Sequence, residues 1–380
     1  MKNVYLDNSA TTRMDSSVLE EMIPFLSDNY GNASSVYSIG RLSKKAIEDS
    51  REKVANILNC RPDEIYFTSG GSESDNTAIK GIARANREKG KHIITSKIEH
   101  LAVLDTCKKL EEDGFEVTYL DVDEYGRINL DELKSSIRKD TILISIMYAN
   151  NEVGTIQQIS QIGKIAKENN IYFHTDAVQA IGSVKIDVQA QNIDSLSLSA
   201  HKFYGPKGIG VLYVKKDIKF EKFIDGGHQE RNKRAGTENV ANIVGLAKAL
   251  EMAYDKLEEH TLKISQLRDY YENSVKESIP NIKINGDIND RLPGNSNISF
   301  IGVNGQDLLL NLDMLGICVS SGSACTSGSI NASHVLMALG LDEDIARSSI
   351  RVSIGKYNTK EDIDYLVKNL IEIVDRQRKI

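Results

Sequence analysis

Two hydrophobic periods alternate over the first two-thirds of the chain, and no other feature restricts the fold as much. Short apolar runs at residues 64–68 (EIYFT), 92–96 (HIITS), 115–120 (FEVTYL), 141–147 (TILISIM), 171–174 (IYFH), 195–198 and 210–214 have the length and composition of buried strands. Segments with helical spacing lie between most of them, at residues 72–89, 102–113, 131–138 and 159–169. Strand–helix–strand alternation predicts an α/β fold with a mostly parallel sheet flanked by helices. Ligands of such sheets gather outside the carboxyl ends of the strands.

After about Gly236 the pattern changes. Residues 237–278 predict one or two long helices, with Val240, Ile243, Val244, Ala247 and Leu250 on one face. Beyond Pro280 come short strands and helices, ending in an amphipathic helix near residues 362–376, the pattern of a smaller α+β domain. At 380 residues the chain is long enough for two sizeable cores. Its net charge of −7 argues against broad nucleic-acid binding. The expectation is no direct nucleic-acid contact. No apolar run reaches the roughly 18 residues of a membrane span, and the opening MKNVYLDNSATT lacks the apolar stretch of a secretory signal. The four cysteines, Cys60, Cys107, Cys318 and Cys325, are too few and too scattered for a disulfide framework, and no CxxC pair suggests zinc. A reduced, cytoplasmic protein without a resident metal is expected.

Several segments carry candidate chemistry. In residues 197–210 (SLSAHKFYGPKGIG) an apolar strand runs into Lys202 and a glycine-rich turn. A partly desolvated lysine at a strand end can form a Schiff base with an aldehyde cofactor, whereas most lysines are solvated surface groups. Lys207, among glycines, is the lysine expected to be exposed. Residues 68–76 (TSGGSESDN) follow a strand and open a helix. Gly70 and Gly71 permit a tight turn, Ser72 offers a hydroxyl, and free N–H groups at a helix start attract phosphate; a plain helix cap explains the same residues. In residues 172–179 (YFHTDAVQ), Asp176 ends a strand where a carboxylate could keep a pyridine nitrogen protonated, with Gln179 near enough to bond a ring hydroxyl. A helix N-cap is the competing reading. His100, just after a strand, could stack on a ring or move protons, or simply begin a helix. In residues 319–329 (VSSGSACTSGS), Cys325 stands among small residues with nothing to hold it in a core, while the other three cysteines read as packing residues. Arg351, inside the strand-like run 348–355 (SSIRVSIG), could grip a carboxylate in bidentate fashion or make an interdomain ion pair, with Arg347 as the fallback.

No single segment decides the function, but jointly and in this order they resemble the group I cysteine desulfurases, the NifS/IscS type of class-V aminotransferase-like enzyme. The matching runs are residues 5–12 (YLDNSATT), 68–76, Glu99-His100, 150–155 (NNEVGT), 174–179, 199–208, 234–239 (RAGTEN), 320–329 and 351–355. The resemblance implies a fold type I enzyme that uses pyridoxal 5'-phosphate (PLP) and acts as a homodimer. It implies a large PLP-binding domain of about residues 15–256, and a small domain built from 1–14 and 257–380 that carries the cysteine loop. Gly71, Ser72, Ser199 and His201 would bind the PLP phosphate, with Thr237 reaching over from the second subunit. Asn151, Asp176 and Gln179 would bind the ring, His100 would stack on it and accept a proton, and Lys202 would hold the cofactor. Arg351 and Asn151 would bind the substrate. The implied reaction converts L-cysteine to L-alanine and leaves the sulfur on Cys325 as a persulfide. An acceptor protein, either an iron–sulfur scaffold or a tRNA or cofactor thiolation enzyme, would then receive it. An iron–sulfur species would touch Cys325 only transiently. Selenocysteine lyase, another class-V PLP enzyme and a non-catalytic assembly partner are the rival readings.

Overall fold

The computed structural model describes residues 3–321 and 332–379. In chain order its strands are β1 (Val4–Tyr5), β2 (Ile65–Thr68), β3 (His92–Ser96), β4 (Glu116–Leu120), β5 (Thr141–Ser145), β6 (Tyr172–Asp176), β7 (Ser195–Ser199), β8 (Gly210–Val214), β9 (Ile282–Asn285), β10 (Asn295–Phe300), β11 (Ile317–Cys318) and β12 (Ser349–Ser353). Seven of them form a central sheet in the order β2-β8-β7-β6-β5-β3-β4. All neighbours are parallel except those of β8, which runs against both β2 and β7. The reversal follows from connection length: residues 200–209 are too few for the helical crossover that a parallel return needs. Strands β3, β5, β7 and β8 are buried along their whole length, which is why they read as continuous apolar runs and not as alternating ones.

The helices Gly71–Ala85, Leu101–Glu112, Leu130–Ser136 and Ile159–Glu168 fall within a few residues of the expected segments. Residues 237–278 resolve into two helices, Val240–Asp255 and Leu257–Ser278, with Lys256 leaving helical geometry between them. Sequence periodicity did not pick out the helices Ser16–Leu26 and Ser38–Leu58. Both keep apolar residues on solvent-facing sides, which blurs the helical period; Leu19, Ile23, Leu26, Ile39 and Leu42 are all exposed.

One apolar cluster packs the inner face of the central sheet, with Ile94, Ile144, Phe173, Leu196 and Leu246 among its members. A second joins the beginning of the chain to its end: Val4 and Leu6 pack with Tyr271, Ile298, Ile350 and Leu370. Around it, β12-β10-β9 form an antiparallel sheet and β1 pairs in parallel with β11. Among the described residues no helix is long and apolar enough to cross a membrane, and no group of three or more His, Cys, Asp or Glu side chains is arranged to hold a metal ion.

Candidate active site

Strand β7 ends at Ser199, and one 3-10 turn, Ala200–Lys202, carries the chain over the edge of the sheet. Tyr204 then takes a left-handed conformation with φ of 67°, a strain that a non-glycine residue accepts only where its surroundings enforce it. The enforcement comes from the amino-terminal segment. Thr12 N donates to the His201 carbonyl at 2.9 Å, and the Thr12 hydroxyl receives Tyr204 N at 2.8 Å. Lys202 Nζ donates to the carbonyls of Ser9 and Ala10, the latter at 2.9 Å. These two carbonyls were not foreseen, because a backbone acceptor leaves no side-chain signature. Lys202 is half-buried and lines a cavity of about 970 Å³, while Lys207 is exposed, as expected. The cavity takes in every site residue named from the sequence except Thr237 and Cys325. Thr237 lines a separate cavity of about 260 Å³, and Cys325 lies outside the described residues.

One end of the cavity is a helix start. Gly71 and Ser72 open the helix Gly71–Ala85, whose N-cap, Gly70, supplies no capping side chain. Gly70 has φ of 153°, open to glycine and strained for other residues. A Cβ on Gly210, one strand away, would lie 2.7 Å from the Gly70 Cα, so both glycines are needed for this turn to sit on the sheet. The helix's first N–H groups have no cap, and the Ser72 and Ser199 hydroxyls stand beside them in the same cavity wall. Burial, with Lys202 and Lys207 nearby, depresses His201 to about 4, so its imidazole is neutral near pH 7. Its Nδ1 is 3.1 Å from the Thr11 hydroxyl.

At the middle of the cavity Asp176 is only 6% exposed. Its Oδ1 accepts from Val178 N at 2.9 Å, closing a turn, and no helix follows for it to cap. Burial raises its pKa, opposed by His100, the Val178 N–H and Lys202. Gln179 donates its amide to the Ser9 carbonyl at 2.9 Å. A second buried carboxyl, Asp75, lines the same cavity and is raised well above the usual range by burial and by Asp176. Its Oδ1 has no hydrogen-bond partner and lies 3.6 Å from His174 Nε2. His174 in turn touches the Ser197 and Ser145 hydroxyls at 3.1 and 2.9 Å, and burial lowers it to about 3. Asp75 was missed as a site residue. The available signal was its helical spacing with Ile79 and Ile82, which puts a carboxyl on the buried face of an otherwise apolar stripe.

Arg351, in the same cavity wall, is 2% exposed. Its Nη2 pairs with Asp7 Oδ1 at 2.7 Å and its Nη1 donates to the Asn151 carbonyl at 3.1 Å. Arg351 is thus ion-paired, but with a residue of the segment expected to share its own domain, not across domains. Arg347 is exposed and paired with Glu343 on its own helix, which removes the fallback. Glu152, also overlooked in the sequence, is 4% exposed, lines the cavity and accepts the Ser333 hydroxyl. Burial pushes it up to about 7 against the opposing pull of Ser333, Arg351 and His100. His100 caps the helix Leu101–Glu112 through Nδ1, which accepts from Ala102 N at 3.1 Å, and it also lines the cavity. Of the other thiols, Cys107 is fully buried in an apolar cluster, Cys60 packs against the main one, and Cys318 on β11 is half-buried. Burial pushes Cys60 and Cys107 up to about 12.

Residues 4–366 match the family model of the class-V aminotransferases. The chain is 55% identical over 381 aligned residues to a cysteine desulfurase IscS of Clostridium botulinum, covering all of this chain and 96% of that one. It is also 55% identical to a cysteine desulfurase IscS of Methanosarcina thermophila, covering all of this chain and 94% of the relative. A solved NifS-like protein superposes with a TM-score of 0.93 at 41% identity, over 99% of this chain and 100% of that one.

Proposed function

The chain belongs to the class-V aminotransferase family, and on that premise we propose that it is a PLP-dependent cysteine desulfurase with Lys202 and Cys325 as its two reactive groups. The observation that carries this reading is the convergence on one cavity of a half-buried lysine, a buried carboxylate, an uncapped helix start and a buried arginine.

The residues fit pyridoxal phosphate. The uncapped N–H groups at Gly71 and Ser72, with the Ser199 and Ser72 hydroxyls and the neutral His201, suit a phosphate dianion. Asp176 suits a protonated ring nitrogen, because a buried carboxyl disfavoured as an anion gains most from a cation placed against it. When bound, the cofactor supplies an aldehyde that captures amines and a ring that takes up the electrons left as the substrate's α-proton departs. The Lys202 amine is the base placed to remove and return that proton. Arg351 holds the substrate's α-carboxylate, and His100 is the proton carrier beside it. The Cys325 thiolate takes the sulfur: the substrate's C–S bond breaks, an S–S bond forms, and cysteine plus enzyme thiol become alanine plus enzyme persulfide. A sulfur-acceptor protein then consumes the persulfide.

We read the active form as a homodimer. Thr237 lies outside the cavity of its own chain, so its phosphate contact needs a second copy. Leu19, Ile23 and Leu26, one turn apart on one helix, are exposed, as are Tyr30, Val36 and Tyr37 just after it, and a second copy would cover such apolar surface. We place the domain boundary at Lys256, so that residues 1–14 and 257–380 make the small domain and 15–256 the large one.

The test has two arms. Borohydride reduction followed by peptide mapping is expected to fix the cofactor on Lys202, and a label on any other lysine overturns the assignment. Cys325→Ala is expected to keep the visible absorption of the bound cofactor and to lose sulfide release from L-cysteine, so undiminished release would remove Cys325 from the reaction. Assaying L-selenocysteine beside L-cysteine separates a desulfurase from a lyase.

A further inference from the structure

We propose that Glu152 takes up the proton that allows Arg351 to accept the substrate's carboxylate. This rests on the reading of Arg351 as the carboxylate anchor. The Arg351 guanidinium is not an open cation. Asp7 already neutralises it at 2.7 Å, and Nη1 is occupied by the Asn151 carbonyl. Glu152 follows Asn151 directly and is buried in the same wall. With Asp7 paired to Arg351 and Glu152 acting on it through space from the same cavity wall, a bound substrate carboxylate would add a third anion where water screens poorly.

One of the three must lose its charge, and the geometry singles out Glu152. The substrate carboxylate is held only while ionised. Asp7 is fixed by its direct ion pair with Arg351. Glu152 is bonded by a hydroxyl and not by a cation. The Ser333 Oγ accepts from Val335 N and Leu336 N at 3.1 and 3.2 Å, so its own hydrogen is donated to Glu152 Oε2. The other carboxyl oxygen is left to carry a proton drawn from solvent. The charged and titratable groups around Glu152 are Arg351 from β12, His100 from the start of the helix Leu101–Glu112, and Asp7 through Arg351, with Lys202 and Asp176 elsewhere in the same cavity wall. His334, beside Ser333, is engaged with the Glu99 carbonyl at 3.1 Å. Burial already sets Glu152 at about 7, so a modest push from a new anion moves it through the neutral range.

The sign follows. Below about 7 Glu152 carries its proton before the ligand arrives, and binding draws none. Above that value binding must draw one, and affinity falls by about tenfold per pH unit. The probe is 3-mercaptopropionate, which has the substrate's carboxylate and thiol but no amine. Calorimetric titration of the holoenzyme in two buffers of different ionisation enthalpy, about one pH unit above the Glu152 value, is expected to show an uptake approaching about one proton per bound probe. Glu152→Gln is expected to bind the probe with no uptake and with an affinity flat in pH. No uptake in the wild type, or equal uptake in Glu152→Gln, overturns the proposal. Infrared difference spectra of the wild type test it without a variant: a carboxylic acid band must appear on binding, and its absence is equally fatal. Arg351→Gln binding the probe as tightly as wild type would instead remove the anchor reading, a separate failure.

Discussion

Asp176 and Lys202 reach the cavity from adjacent strand ends, whereas Glu152, Ser333 and Arg351, with Asp7 paired to the arginine, come to it from four segments spread over nearly the whole chain. In the first wall, Asp176 is paired in register with Ser197, and Ser199 ends the same strand. Backbone ladders fix these positions before any side chain contributes. In the second wall, Asp7 and Arg351 are 344 residues apart; backbone bonds of Leu6 and Asn8 to Ser353 bring their segments together, and the side chains then meet through an ion pair, a carbonyl and a hydroxyl. A scaffolded wall should lose chemistry when a side chain is changed and keep its shape. A wall held by mutual charges should lose binding, with effects that do not add.

The largest effect should fall on the scaffolded wall. Asp176→Asn keeps the volume and the turn-closing acceptor but removes the charge. It is expected to lower kcat by about 10²- to 10³-fold, as loss of a preorganised electrostatic partner does, with KM nearly unchanged. Steady-state kinetics of the cofactor-loaded protein check this, and a rise in KM at constant kcat would erase the distinction between the walls. Arg351→Lys comes next. It keeps the charge but loses the planar fork that meets Asp7, the Asn151 carbonyl and a carboxylate together. KM is expected to rise by about 10- to 100-fold, the range set by charged hydrogen bonds, with the smaller change in kcat. Equal falls in kcat and kcat/KM would show that this wall acts on the transition state instead.

The same contrast explains what the sequence revealed. The β3 and β8 bounds were read to the residue, because a buried strand must be an unbroken apolar run between breakers. Lys202 and Asp176 stood out because polar residues that end such runs must face the rim of the sheet. Arg351 was visible for a different reason, as a charged residue in the middle of the strand-like run that forms β12. Glu152 was not, although it sits in a run that had been singled out: nothing local says that a glutamate after two asparagines is buried, and the Ser333 hydroxyl and Arg351 charge that act on it lie far away in the chain. The Ser9 and Ala10 carbonyls that hold Lys202 are likewise products of tertiary packing. The helices before residue 60 escaped because the exposed apolar residues proposed to meet a second copy follow no buried stripe.

The smallest effect is expected at Asp75, and it probes whether the scaffolded wall tolerates a change that leaves its charge alone. The carboxyl is 1% exposed, and its folded pKa lies well above the ordinary 3.8 because of burial and the neighbouring Asp176. The shift favours the neutral acid, of which a carboxamide is the mimic, so turnover of Asp75→Asn should stay within about threefold of wild type. Alanine in its place deprives the Ser197 hydroxyl of one of its two partners and opens space beside His174, at about 1–3 kcal/mol. A raised folded pKa means that the folded state binds more protons than the unfolded one. Its stabilising proton is fully present below the ordinary carboxylate range and is lost as pH rises through the folded value. Wild-type thermal midpoints should thus fall, relative to those of Asp75→Asn, as pH is raised above the ordinary carboxylate range. Parallel curves would mean that Asp75 is ionised in the folded protein, a second buried anion beside Asp176, and that the scaffolded wall also depends on charges held against one another.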